Sequence, residues 1–149
     1  MTIIQRIQHR VYRYLKDTPE SGDGIAHLCG VSLLGVMLAK KRGKDTFICS
    51  AAGFLHDLYR YRSGRDENHA HEGARLAEQL LPEWGCADEE QNQLICTMIR
   101  NHSGKTVIDD PYSELLKDAD ALHHHLYFGI LSAREKDRIL RCMEELSIP

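Results

Sequence analysis

A chain of 149 residues with 42% apolar and 28% charged residues is long enough for one domain with a real core, and too apolar for a disordered segment. Its net charge of −3 gives no broad attraction to extended nucleic acid or to an anionic membrane. Five scattered cysteines, Cys29, Cys49, Cys86, Cys96 and Cys142, form no C-x-x-C pair, which argues against a thiolate zinc site or a disulfide framework and for reduced thiols in the cytoplasm.

The first predicted element is a helix over about residues 2–16, "MTIIQRIQHRVYRYLK". Its mixed charges lack the continuous apolar stretch and small-residue cleavage site of a secretory leader. A second helix is expected over about 24–41, with Ile25, Leu28, Val31, Leu34 and Leu38 on one stripe and Gly43 as terminator. No unbroken apolar run approaches the roughly 18 residues of a membrane span. A third helix over about 45–58 carries Phe47, Ile48, Ala51, Phe54, Leu55 and Leu58 on one face, with Asp45 or Thr46 as its cap. It closes on the adjacent pair His56-Asp57.

Further helices are read at about 69–81, 88–101, 112–128 and 132–146, punctuated by Pro82, Pro111 and the polar stretch "RSGRDEN". There is no strand pattern, internal repeat or low-complexity linker. The expected architecture is an all-α, single-domain bundle of six or seven helices spanning residues 1–149.

Placed on these helices, the histidines and aspartates form a pattern. His27 lies within the second helix and His56-Asp57 close the third. His69 and His71 open the fourth, His102 ends the fifth, and Asp118 and Asp120 lie within the sixth. Imidazole and carboxylate groups facing inward from several helices are how bundles build metal sites. Such donors suit Mn, Fe, Co, Ni or Zn. Neighbours on a helix diverge by about 100°. His56 and Asp57 therefore reach one centre only where the helix ends, unless the Asp bridges two metals.

The order His27, His56-Asp57, Asp120 in "DADAL", with "AAGFLHD" before the pair, "HAHEGA" and "IRNH", resembles the HD-domain superfamily of metal-dependent phosphohydrolases over about residues 20–128. That resemblance implies a helical fold and a first metal bound by His27, His56, Asp57 and Asp120. It also implies that Asp57 bridges to a second ion, with His69 and His102 as its further ligands, so one or two ions per chain. His69 is favoured over His71 because the family histidine precedes the glycine by four. Arg60 stands where relatives carry a cation able to meet a substrate phosphate, and Lys105 is the next candidate. Asp57 or Asp120 would position the attacking water, with His71 or Asp118 left open as proton donor.

The implied substrate is a nucleotide or another small phosphorylated molecule. "HEGA" and "IRNHSG" are similar to the bacterial diadenosine tetraphosphate hydrolases, but "ALHHHLYFG" stands where those carry an acidic-Pro-Asn stretch. A non-hydrolytic di-iron oxygenase and a non-catalytic binding or signalling module are the alternatives. His123, His124 and His125 fan over most of a turn and are expected at the surface or an interface. Tyr59, Tyr61 and Trp84 are expected in the core or at a rim.

Overall fold

The computed structural model describes residues 1–149 as eight helices and no strand: α1 (Ile3–Leu15), α2 (Ser21–Arg42), α3 (Thr46–Leu55), α4 (Leu58–Ser63), α5 (His69–Trp84), α6 (Glu89–Asn101), α7 (Pro111–Phe128) and α8 (Lys136–Glu145). The all-α expectation holds. Local chemistry sets most of the boundaries. Asp45 accepts from the amides of Phe47 and Ile48 to start α3, and Asp88 and Gln91 form a reciprocal cap on α6. Gly43 ends α2 in the left-handed conformation, as its position suggested.

Helix α2 runs through the middle, against α3 on one side and α7 on another. It is long and apolar enough to cross a membrane by length and composition, although no unbroken run announces it; half of its most apolar window is buried within the bundle. The crossing with α3 is close. A methyl group built on Gly53 would come within 2.6 Å of the Ser32 Cα, so only glycine allows the two backbones this near. The Ser32 and Ser50 hydroxyls meet at 2.7 Å in the same contact. This crossing sets His27 on α2 opposite His56 at the end of α3.

Two boundaries depart from the periodicity. The third helix was expected to run to residue 58, but it stops at Leu55, and Asp57, at φ −113° and ψ 13°, turns the chain into α4. Burial of both Leu55 and Leu58 keeps the apolar spacing unbroken across that turn, so spacing alone cannot reveal it. Helix α5 continues through Pro82 to Trp84, because buried Leu81 and Trp84 hold its last turn against the core.

Helix α7 is buried on nearly every face, and so Asp118 and Asp120 are both inside although they point in different directions. Asp118 pairs with Arg42 of α2 and Arg138 of α8, each at 2.7 Å, and ties those helices to α7.

Candidate metal centre

Six elements deliver one donor residue each to a single region. His27 comes from α2, His56 from the end of α3, and Asp57 from the start of α4. His69 opens α5, His102 closes α6, and Asp120 projects from the middle of α7. All are buried except His69, whose side chain is 20% exposed. The turn at Asp57 lets the adjacent His56 and Asp57 face the same place, which a continued helix would forbid.

The donors form two groups that share Asp57. In the first, His27 Nε2 lies 3.1 Å from His56 Nε2, 3.2 Å from Asp120 Oδ1 and 3.8 Å from Asp57 Oδ2. His56 Nε2 lies 3.4 Å from Asp120 Oδ1 and 3.7 Å from Asp57 Oδ2. In the second, Asp57 Oδ1 is 3.2 Å from His102 Nε2 and 3.4 Å from His69 Nε2, and the two nitrogens are 3.3 Å apart. Donors held about 2.1 Å from one ion stand about 3.0 to 3.4 Å from each other. Most of these separations fall in that interval, and the two distances to Asp57 Oδ2 are slightly longer.

Hydrogen bonding on the far side of the rings shows why such a group calls for a cation. The Nδ1–H of His69 donates to the Asp66 carbonyl at 2.8 Å, and that of His102 to the Ile99 carbonyl at 2.7 Å. With those protons committed, both Nε2 atoms carry lone pairs, and they face each other and the carboxylate oxygen Asp57 Oδ1. Three acceptors with no hydrogen between them repel. Asp57 Oδ1 and Asp120 Oδ1 are indeed buried without a hydrogen-bond partner. An ion relieves that arrangement, so the residues present fit a divalent metal.

His56 is anchored in the same way, its Nδ1–H donating to the Gly53 carbonyl at 2.8 Å. His27 is held instead by another side chain, with Nδ1 2.9 Å from Nδ1 of His123. Burial pushes the imidazole of His27 below its ordinary value, against the pull of the Asp120 carboxylate 3.2 Å away, and it lowers His123 to about 4. Asp120 moves the other way. Burial opposes its ionisation, but the Lys105 ammonium and the His27 and His56 rings hold it well below the usual carboxylate range.

The HD domain family matches residues 24–124, two thirds of the chain and every donor named above. This chain belongs to that family. A crystal structure of a predicted HD superfamily hydrolase from an uncultured Thermotogales bacterium shares the fold, with 22% identity, a TM-score of 0.71, and coverage of 96% of this chain and 82% of that one. No curated protein matches the chain significantly. The similarity therefore reaches the family, and nothing singles out its dinucleotide-hydrolase branch.

Over the donors of this HD domain lies a small pocket of about 180 Å³ without a hydrophobic lining residue. Arg60 lines it from α4, and its guanidinium is already paired with Asp66 at 2.9 Å and Asp57 at 3.5 Å. Lys105 is buried with its ammonium 2.7 Å from Asp120 Oδ2. It holds the second oxygen of that carboxylate while Oδ1 faces the imidazoles. The two residues left open as proton donors stand elsewhere. His71 is exposed outside the pocket, and Asp118 is taken up by two guanidinium groups.

The expectation for the histidine run needs correction. Because consecutive residues point about 100° apart, His123 turns into the core against His27 while His124 turns into the pocket. His124 Nε2 lies 3.4 Å from Asp120 Oδ1, and its Nδ1 lies 3.7 Å from Glu135. Ser103, Arg134 and Glu135 complete the lining and were not anticipated. Ser103 is signalled in the sequence only by standing next to His102. Arg134 and Glu135 carry no motif and lie beyond the family-matched residues.

Proposed function

We propose that this HD domain is a metal-dependent phosphohydrolase that cleaves a small phosphate ester or anhydride, of the nucleotide class, through a metal-activated water. The observation that carries the reading is the division of Asp57, with Oδ2 turned to His27 and His56 and Oδ1 to His69 and His102. A carboxylate so divided suits two divalent ions, with His27, His56 and Asp120 completing one set and His69 and His102 the other. Divalent ions held there would lower the pKa of a bound water and offset the charge of phosphoryl oxygens.

The remaining work falls to the chain's own residues. Lys105 fixes Asp120 through Oδ2, so that one oxygen only is offered to the site. Arg60 stands at the edge of Asp57, where exchange of the exposed Asp66 for a phosphoryl group would let its planar fork hold two oxygens at once. His124 faces the pocket between Asp120 and Glu135, and it takes the place that His71 and Asp118 do not fill for proton transfer to a leaving group. A pocket of about 180 Å³ with an entirely polar lining suits phosphate groups and leaves a nucleoside outside.

Phosphate entry itself depends on metal. The lining holds three permanent cations, Arg60, Lys105 and Arg134, against four carboxylates, Asp57, Asp66, Asp120 and Glu135, so alone it is not attractive to an anion.

The test is to strip the purified protein with a chelator, reload it with Mn, Fe, Co, Ni or Zn, and screen nucleotides and phosphate esters. Hydrolysis should vanish on stripping and return with metal. Elemental analysis should give two ions per chain, falling to about one in His102→Ala. If no phosphate compound is turned over with any metal while iron-loaded protein consumes oxygen, the di-iron alternative replaces this reading. If neither occurs, the domain is a binding module.

A further inference from the structure

Of the three permanent cations around the pocket, two are already matched. Arg60 faces Asp57 and Asp66, and Lys105 is held between Asp120 and the His102 carbonyl, both at 2.7 Å. Arg134 differs from them. It is exposed, makes no ion pair, and its one hydrogen bond runs from Nη2 to the Ser103 carbonyl at 3.4 Å, one residue beyond His102. Most of its donor fork is therefore free for an incoming anion.

Its position adds a second constraint. Asp57, His102 and Asp120 line the pocket as buried residues, whereas Arg134 lines it as an exposed one. One phosphoryl group at the buried residues does not have to be the group that Arg134 meets. Arg134 also reaches the pocket from the connection between α7 and α8, outside residues 24–124 that match the HD domain. That connection is fixed from behind. Ser132 donates to Glu135 at 2.9 Å, and Arg138 binds Asp118 at 2.7 Å and the Lys105 carbonyl at 3.2 Å. The adjoining carboxylate, Glu135, is engaged by Ser132 and His124 and leaves Arg134 unpaired.

We infer that Arg134 is a specificity-determining residue, and that it selects substrates with a second anionic group beyond the phosphoryl group under attack, such as a diphosphate or a nucleoside polyphosphate rather than a simple monophosphate ester. This rests on the phosphohydrolase reading, and the experiment separates the two. Calorimetric titration of metal-loaded, full-length protein compares methylenediphosphonate, a diphosphate mimic that is not hydrolysed, with orthophosphate. Metal content is checked after each titration.

The parent should bind the diphosphonate about tenfold more tightly than orthophosphate, as expected for one added charge-assisted contact. Arg134→Ala should remove most of that preference, changing orthophosphate affinity by less than about twofold, and Arg134→Lys should keep part of it. Because Arg134 is exposed and binds no donor residue, folding and metal content should be unaltered in both variants. An equal loss for both probes, or no loss, overturns the role of Arg134 and leaves the hydrolase reading standing. So does a parent that binds orthophosphate but gains nothing from the second phosphonate. If the metal-loaded parent binds neither probe, both readings fall together.

Discussion

The role of His27 depends on which of its nitrogens carries the proton. For Nε2 to serve as a ligand, the proton must sit on Nδ1 and be accepted there, and Nδ1 of His123 is the acceptor at 2.9 Å. His123 is fixed for this by stacking on Tyr127 and by Gly30, where a methyl group would collide with the imidazole. Replacing His123 with Phe should keep the packing and remove the acceptor, weakening the first ion by about 10- to 100-fold. Chelator competition would measure this, with His123→Asn restoring part of the affinity. Unchanged affinity in His123→Phe would reduce the contact to packing. Three histidines in a row do not reveal this pairing in the sequence. It depends on how near α7 lies to α2, and one inconspicuous glycine sets that distance. The six candidate donors were easier to place, because each stands at a helix end or beside an apolar stripe whose inward face periodicity identifies.

At the scale of elements, two aspartates two residues apart on α7 do opposite work. Asp120 looks toward α2 and α3 and offers an oxygen to the site, while Asp118 looks toward α2 and α8 and joins Arg42 to Arg138. Angular spacing on a helix separates the two directions but does not say which is which. That assignment came from family resemblance, and in the fold Asp120 is the one that stands among the imidazoles. Asp118→Ala should lower stability by about 2 kcal/mol. This is below the usual cost of breaking a buried pair because each guanidinium keeps a second carboxylate, Glu145 for Arg42 and Glu114 for Arg138. Thermal melting should record that loss while elemental analysis finds the parent's metal content. Asp120→Ala should show the reverse emphasis, losing metal. A variant at Asp118 that loses metal and keeps its melting temperature would reverse the assignment. The short helix α4 was illegible for a related reason. Leu55 and Leu58 keep the helical rhythm, so the break between them, which turns His56 and Asp57 toward one place, leaves no trace in the spacing.

For the molecule as a whole, the six donors lie between residues 27 and 120 and come from six helices, so an unfolded chain cannot gather them. Binding free energy at this site therefore belongs almost entirely to the folded state. Free metal at about a thousand times the dissociation constant stabilises by about 4 kcal/mol per site, which for a chain of this size raises the melting temperature by about 8–16 °C. The metal-free state carries a further burden, because Asp57 Oδ1 is buried without a partner and faces two imidazole lone pairs. An amide at that position would donate its N–H to one of those nitrogens and remove the repulsion. Asp57→Asn should accordingly melt no lower than the parent when both are stripped of metal, and it should lose most of the rise that metal gives the parent. Calorimetric melts of both proteins, stripped and reloaded, would decide the matter. If the stripped variant melts well below the stripped parent, Asp57 holds the bundle together as an ordinary buried polar residue. If it melts at or above the parent, the carboxylate is retained there at a cost to the empty fold, which only a bound cation offsets.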